Sequence, residues 1–389
     1  MDAILRNTFA NIENFVYRLR AAGTLLGVSD NTLRTYSEVS GIRINRASDI
    51  TPGAPSIRVF DIPTLFQLAL WRRSQGYVKS TVPGTSPVRI VVDAIKGGTG
   101  KSTTAAELTL HLQLLGLNVL LIDLDTQANV TQLFGYEADL TEKEAANYGL
   151  TQQAIVNNTF ASLMTPYIER VRGSHGARVP DTSNFNVIKH PFGEYGPALI
   201  PADTYLGDIE HLLLNAKGNR ELYVKNMLDA AFEGKIPGLE LKNVDVIIFD
   251  SPPAINLLST NALAAADLVI APIKMDSFSV KGLSKLLSEI NMLESAYKTS
   301  PEILILPTHY SPYLSRVWRM QSHLQTYKDY LSPCLISASE EFSKSIENYM
   351  PLTLQKPTSH AAKEYRIFAE LVHAKILKIS ANKAFGNKE

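Results

Sequence analysis

From residue 88 onward, short apolar runs alternate with longer, more polar segments. The runs fall at 88–95, 118–124, 196–200, 244–250, 267–273 and 302–307. Several are nearly continuous, such as Val244-Asp245-Val246-Ile247-Ile248-Phe249. A strand that is apolar on both faces suits a parallel sheet covered by helices on each side. Between the first two runs, Ser102 to Leu115 reads as a helix that stops at Gly116. The pattern predicts an α/β fold, a mostly parallel twisted sheet flanked by helices. Ligands in such sheets lie beyond the carboxyl ends of the strands, so the residues there are the ones to read. The stretch 136–195 has no clear pattern, and Gly173 to Ala177 reads as a surface loop.

The first 87 residues are patterned differently. Residues 1–22 suggest one amphipathic helix, with Ile4, Leu5, Phe9, Ile12, Phe15, Val16 and Leu19 on a broad face. Plain packing accounts for that face. From Thr24 to Tyr36, a short helix, a turn at Gly27 and Ser29 as the next N-cap describe a helix-turn-helix. Gly41 to Arg46 and Ser56 to Phe60 could pair as a wing, followed by a helix from Asp61 to Gly76. Lys79 to Pro87 is small, polar and proline-rich, and reads as a linker. The expected organisation is an N-terminal helix at 1–22, a small helical domain at 23–78, a linker at 79–87 and an α/β domain at 88–389. A length of 389 residues suits two domains.

Charge narrows the picture little. The 38 basic and 38 acidic residues cancel, which argues against a uniformly basic nucleic-acid protein. Residues 1–80 carry ten Lys and Arg against six Asp and Glu, a local excess that permits DNA contact. Cys334 is the sole cysteine, so there is no internal disulfide and no iron–sulfur ligand set. With no apolar run near the ~20 residues that span a bilayer and no apolar signal core, a cytoplasmic protein is expected.

Three strand-end motifs carry the chemistry. The first is Lys96-Gly97-Gly98-Thr99-Gly100-Lys101-Ser102-Thr103, between a buried strand and a helix. Its glycines let backbone N–H groups close on phosphate oxygens at a helix N-terminus. Lys101 would reach the β- and γ-phosphates, and the Ser102 hydroxyl would bind Mg²⁺. The second is Asp123-Leu124-Asp125, two acids on the same side of a strand end, which face a polar site or cap the next helix. The third is Asp250, which ends a hydrophobic strand before Ser251-Pro252-Pro253 and suits the Mg²⁺ shell.

In this order the motifs resemble the ParA/MinD family of deviant Walker A ATPases, most of all ParA-type partition proteins. The resemblance covers about residues 88–380 and extends to Leu199-Ile200-Pro201-Ala202, Ala271-Pro272-Ile273, Ser339 to Phe342, Pro351-Leu352 and Ala361 to Tyr365. It implies a P-loop ATPase fold, ATP and ADP as ligands, Mg²⁺ and a homodimer. The likeness to longer ParA proteins implies dimerisation as a second role for the helix at 1–22. Lys96 becomes the signature lysine that reaches the other copy's nucleotide, and Thr103 an α-phosphate contact. Asp125 becomes the acid that orients the attacking water, with Asp123 near the metal and Asp250 as the Walker B acid. Thr99 and Thr126 depart from the usual valine and proline. Slow hydrolysis, completed only in the ATP dimer, is implied.

The segment 24–60 resembles the winged helix-turn-helix of the MerR family through Leu26-Gly27-Val28-Ser29, Thr32-Leu33-Arg34, Tyr36 and Arg58-Val59-Phe60. Thr32, Arg34, Thr35, Arg43, Arg46 and Arg58 are then candidate DNA contacts. Lys274, Lys281, Arg316, Arg319 and Lys344 are candidates for non-specific DNA contact by the ATPase domain. The function implied is DNA partition on the nucleoid. A ParB-like centromere-binding partner would stimulate hydrolysis, and the N-terminal domain would repress its own operon. A MinD-like membrane-cycling regulator, anchored by Ala374 to Ile379, and a nucleotide-sensing repressor are the rival readings. No membrane partner is expected.

Overall fold

The structure is a computed structural model that describes residues 15–147, 150, 152–172, 185–275, 279–311 and 323–386. Its centre is a six-stranded parallel sheet. The strands are β3 (Val88–Val92), β4 (Val119–Asp123), β5 (Ala198–Ile200), β6 (Val246–Asp250), β7 (Leu268–Lys274) and β8 (Glu302–Thr308), in the order β5-β4-β6-β3-β7-β8. All five pairings are parallel. The six expected strands are all present. Their central residues are buried on both faces, which is why they read as unbroken apolar runs.

Two hydrophobic clusters cover the two faces of the sheet. Ile90, Val92, Leu121 and Ile248 belong to one, and Val91, Leu120, Ile122 and Phe249 to the other. The strands' period-two alternation sends neighbouring side chains to opposite faces. On the first face lie α5 (Lys101–Leu114) and α15 (His360–Gly386). The second is covered by α8 (Phe160–Arg172), α9 (Leu206–Leu214), α10 (Tyr223–Phe232), α11 (Leu257–Ala265) and α12 (Ser279–Tyr297). Helix α5 begins one residue earlier than the pattern suggests and ends where Gly116 adopts a φ of 91°. Among the described residues, no helix is long and apolar enough to cross a membrane.

The N-terminal unit holds α1 (Leu19–Leu26), α2 (Asp30–Val39), α3 (Ala47–Ile50) and α4 (Ile62–Ser74), with strands β1 (Val16–Arg18) and β2 (Val59–Asp61). The single helix expected over 1–22 is corrected where it can be seen. Residues 16–18 are a strand, paired antiparallel to β2 with Tyr17 opposite Phe60, and the helix starts at Leu19. Tyr17 points inward between exposed Val16 and Arg18, and its hydroxyl donates to the Leu354 carbonyl at 2.6 Å. Residues 1–14 lie outside the described residues. Between α1 and α2, Gly27 takes φ 67°, and Ser29 caps α2 by accepting from the Thr32 N–H at 3.1 Å. The wing strands are reduced to one bridge, Arg46 to Arg58, because Ala47–Ile50 coils into a short helix between them.

This unit shares a core with the sheet. Phe60, Leu65, Phe66 and Ala69 belong to the same cluster as Leu108 and Leu112 of α5. The segment 79–87 is held along its length: Val82 N–H donates to Ser380 Oγ at 2.9 Å, and Lys383 Nζ to the Pro87 carbonyl at 2.9 Å. Residues 142–147 form α7, outside these layers. Gly173 to Ala177 lie outside the described residues.

Candidate functional site

The phosphate loop joins the carboxyl end of β3 to α5. Gly98 and Gly100 take φ of 69° and 89°, a region where a side chain is strained. A Cβ built on Gly97 or Gly98 meets nothing within 4 Å, so the loop is open toward a ligand. The helical ladder starts with Thr104 N–H to the Gly100 carbonyl at 2.8 Å. The N–H groups of residues 101–103 therefore have no partner within the helix and form an anion cradle. Lys101 is buried and Lys96 is half-buried at the front of the loop. Thr308, at the end of β8, clamps the loop by donating to the Thr99 carbonyl at 2.8 Å.

Beside the loop is a cavity of about 200 Å³ lined by Gly98, Thr103, His309, Ser337, Phe342 and Tyr365. The sequence placed Phe342 and Tyr365 in segments resembling the family but gave them no role at the site, and it did not single out Ser337 or His309, which follows β8 with φ 51°.

The three acids separate by their surroundings. Asp123 and Asp250 sit side by side in register on β4 and β6, both fully buried. Asp123 spends both oxygens within the protein. Oδ2 accepts from Thr131 N–H at 3.0 Å and Thr131 Oγ1 at 2.8 Å, and Oδ1 accepts from Asp125 N–H at 3.1 Å. It thereby fixes the short helix α6 (Asn129–Leu133), the helix-holding role weighed for this acid pair. Burial pushes its carboxyl up to about 7. Asp125 is buried one step farther, with Oδ1 accepting from Gln127 N–H at 3.0 Å.

Asp250 is different. Neither carboxylate oxygen has a partner of full hydrogen-bond geometry. Burial, with Asp123 next to it, holds its carboxyl well above the usual range, although Ser102 and Lys101 nearby favour its charge. A buried carboxylate that Ser102 and Lys101 only partly offset is costly, and a cation held between it and Ser102 would remove that cost. The donor set, one hydroxyl and one carboxylate, suits a hard cation such as Mg²⁺, whose remaining ligands would be water and phosphate oxygens. Asp93, buried at the start of the loop, is likewise raised to about 7 by burial, with Lys101 opposing.

The candidate DNA contacts are scattered. Arg34, Thr35 and Arg43 are exposed on the N-terminal unit. Thr32 bonds the Ser29 hydroxyl at 2.8 Å. Arg46 Nη1 is taken by the Ser56 carbonyl at 3.0 Å, and Arg58 pairs with Glu38 at 3.0 Å. Lys274 ends β7, while Lys281 on α12 and Lys344 on α13 (Glu341–Glu347) are exposed. Arg316 and Arg319 lie outside the described residues. The N-terminal unit meets the sheet near Asn118 and Asp245, at the amino ends of β4 and β6.

Known proteins are similar to this chain. Residues 88–303 match the profile of a family described as "AAA domain". The "Sporulation initiation inhibitor protein Soj" of Bacillus subtilis is 27% identical over 73% of this chain and 98% of its own. The "Chromosome-partitioning ATPase Soj" of Treponema pallidum is 26% identical over 72% of this chain and 94% of its own. A cobyrinic acid a,c-diamide synthase from Mycobacterium smegmatis, solved with bound ADP and magnesium, is similar with a TM-score of 0.53. It is 24% identical over 74% of this chain and 96% of that one, a likeness of fold.

Proposed function

The chain belongs to the AAA-domain family, among its ParA/Soj-type ATPases, and from that premise we propose that it is an ATP-driven DNA partition protein. The observation that carries this reading is the orphaned Asp250 carboxylate behind a phosphate loop that has a second lysine, Lys96, at its front. ATP would lie with its phosphates on the N–H groups of residues 101–103 and its nucleoside against His309 and Phe342. Ser102 and Asp250 would hold Mg²⁺, which supplies charge neutralisation at the β- and γ-phosphate oxygens. Lys101 would reach those same oxygens. Asp125 would orient the attacking water, and Lys96 would complete the site of a second copy. In that account the site is whole only in the ATP-bound dimer, and intrinsic hydrolysis is slow.

The ATP dimer would bind DNA without sequence preference, in the cytoplasm and on the nucleoid. A ParB-like protein would speed hydrolysis and release it. The N-terminal unit, a MerR-like winged helix-turn-helix in this reading, would bind the operator through the exposed face carrying Arg34, Thr35 and Arg43. The membrane-cycling alternative would need Ala374 to Ile379 as its anchor, and Ile376 and Ile379 lie on the buried face of α15 rather than pointing outward. The test is phosphate release with ATP and Mg²⁺. Lys101→Ala and Asp250→Asn should each lower it by about a hundredfold or more. Equal turnover in wild type and both variants would refute the reading.

A further inference from the structure

Helix α5 is gripped at three heights. Its first turn forms the phosphate cradle. One turn further, Glu107 is fully buried and accepts from Leu352 N–H at 2.7 Å and Thr353 N–H at 3.1 Å, and from the Thr353 hydroxyl. His111, on the same face, lies 2.8 Å from that hydroxyl through Nε2. The Thr353 hydroxyl thus donates to Glu107 and can accept from the imidazole N–H, so both of its bonds are used. These contacts fix the short helix α14 (Leu352–Gln355). The next residue, Leu354, is the one whose carbonyl accepts the Tyr17 hydroxyl of the N-terminal unit. A continuous buried chain therefore runs from α5 through Thr353 and Leu354 to Tyr17.

The far end of α5 is pinned. A Cβ built on Gly116 would lie 2.9 Å from the Ala69 carbonyl of α4, and Arg73 Nη1 donates to the Gly116 carbonyl at 3.2 Å. A fourteen-residue helix behaves as a rod about 21 Å long. A load applied to its first turn, with the other end pinned, must be taken up at the grip between. Packed interiors respond to such loads by moving as units, because they have little free volume.

We propose that α5 is a lever by which nucleotide binding at the phosphate loop changes the stability of the N-terminal unit, through Thr353 and Tyr17. The proposal rests on the reading that the loop binds nucleotide. It gives the two halves of the chain a defined coupling: occupancy of the loop sets how firmly α1 and β1 are held, and hence how well α2 is presented.

Hydrogen–deuterium exchange on the full chain tests it. The conditions are no nucleotide, ADP, and a non-hydrolysable ATP analogue, with Mg²⁺. In wild type, the analogue should slow exchange at 97–104 and change exchange at 16–26 by about threefold or more. Thr353→Val, which keeps the shape and loses the hydroxyl, and Tyr17→Phe should keep the slowing at the loop and lose the change at 16–26. Thr353→Ser should retain both. A protected loop with unchanged exchange at 16–26 in wild type would overturn the lever alone, as would Thr353→Val and Tyr17→Phe variants that transmit like wild type. No protection of the loop by either nucleotide would overturn the ATPase reading, and the lever with it.

Discussion

Arg73 and Asp245 form a two-pronged ion pair, Nη1 to Oδ2 and Nη2 to Oδ1, that ties the last turn of α4 to the residue before β6. The same carboxylate accepts from the Thr81 hydroxyl and from Asn118 N–H at 2.7 Å. One largely buried acid thus joins the N-terminal unit, the segment after it and the amino ends of two central strands. Removing it would strand Arg73 and an N–H donor together. Asp245→Ala should destabilise the chain by about 3 kcal/mol, since an uncompensated buried partner is the expensive outcome. Urea unfolding would show a lower midpoint with an unchanged slope. A shift below about 1 kcal/mol would mean the pair is no more than an exposed surface bridge.

Lys96 stands at the front of the loop and is half-buried. Lys96→Ala should keep nucleotide affinity within about threefold and block the ATP-induced dimer, because its role in this account is toward the other copy. Light scattering with ATP and with ADP measures this directly. A dimer population equal to wild type would remove the role across the interface.

Asp125 is held by its own turn through Gln127 N–H, at the edge of the pocket containing Asp123 and Asp250. Asp125→Ala should bind ATP normally and hydrolyse it about a hundredfold more slowly, the scale of a lost water-orienting base. Undiminished turnover would assign that role elsewhere. Asp123→Asn should instead act through folding of α6, since both Asp123 oxygens serve Thr131 and Asp125.

The Glu107 grip has a pH signature. Burial raises the Glu107 carboxyl from 4.5 to about 7, against the opposing bonds from Thr353 and Leu352. The folded chain therefore holds that proton more tightly than the unfolded chain. Its contribution to stability is full below pH 4.5 and is lost as the pH rises through 7. His111 runs the other way: burial first, then Arg366, lowers it from 6.5 to about 3, so its contribution is present above 6.5 and lost as the pH falls toward 3. Glu107→Gln removes only the first of these. Its stability relative to wild type should rise between pH 5 and pH 7 in urea titrations, and a difference independent of pH would contradict the assignment.

Most of the sheet was legible in the sequence because its strands are buried on both faces, so Val246–Phe249 carries no polar interruption and Val88–Val92 only Arg89, whose charge is paired with Asp229. The phosphate loop was legible because left-handed turns at Gly98 and Gly100 need glycine, and a phosphate needs lysine. Strand β1 was not: three residues carry too little periodicity, and their partner Val59–Asp61 lies some forty positions on. The same holds for the nucleoside wall and the Glu107 grip. His309 and Phe342 meet only in three dimensions, and Glu107 finds Thr353 across 246 residues. Arg46 and Arg58 read as available cations, and nothing local told that a serine and Glu38 would occupy them.

The most direct measurement of the central claim is binding to random-sequence duplex DNA by wild type and Lys96→Ala, with no nucleotide, ADP and ATP. The account predicts binding by wild type only with ATP, weakening steeply with salt, and none by Lys96→Ala. Binding that ignores the nucleotide, or that survives in Lys96→Ala, would contradict it.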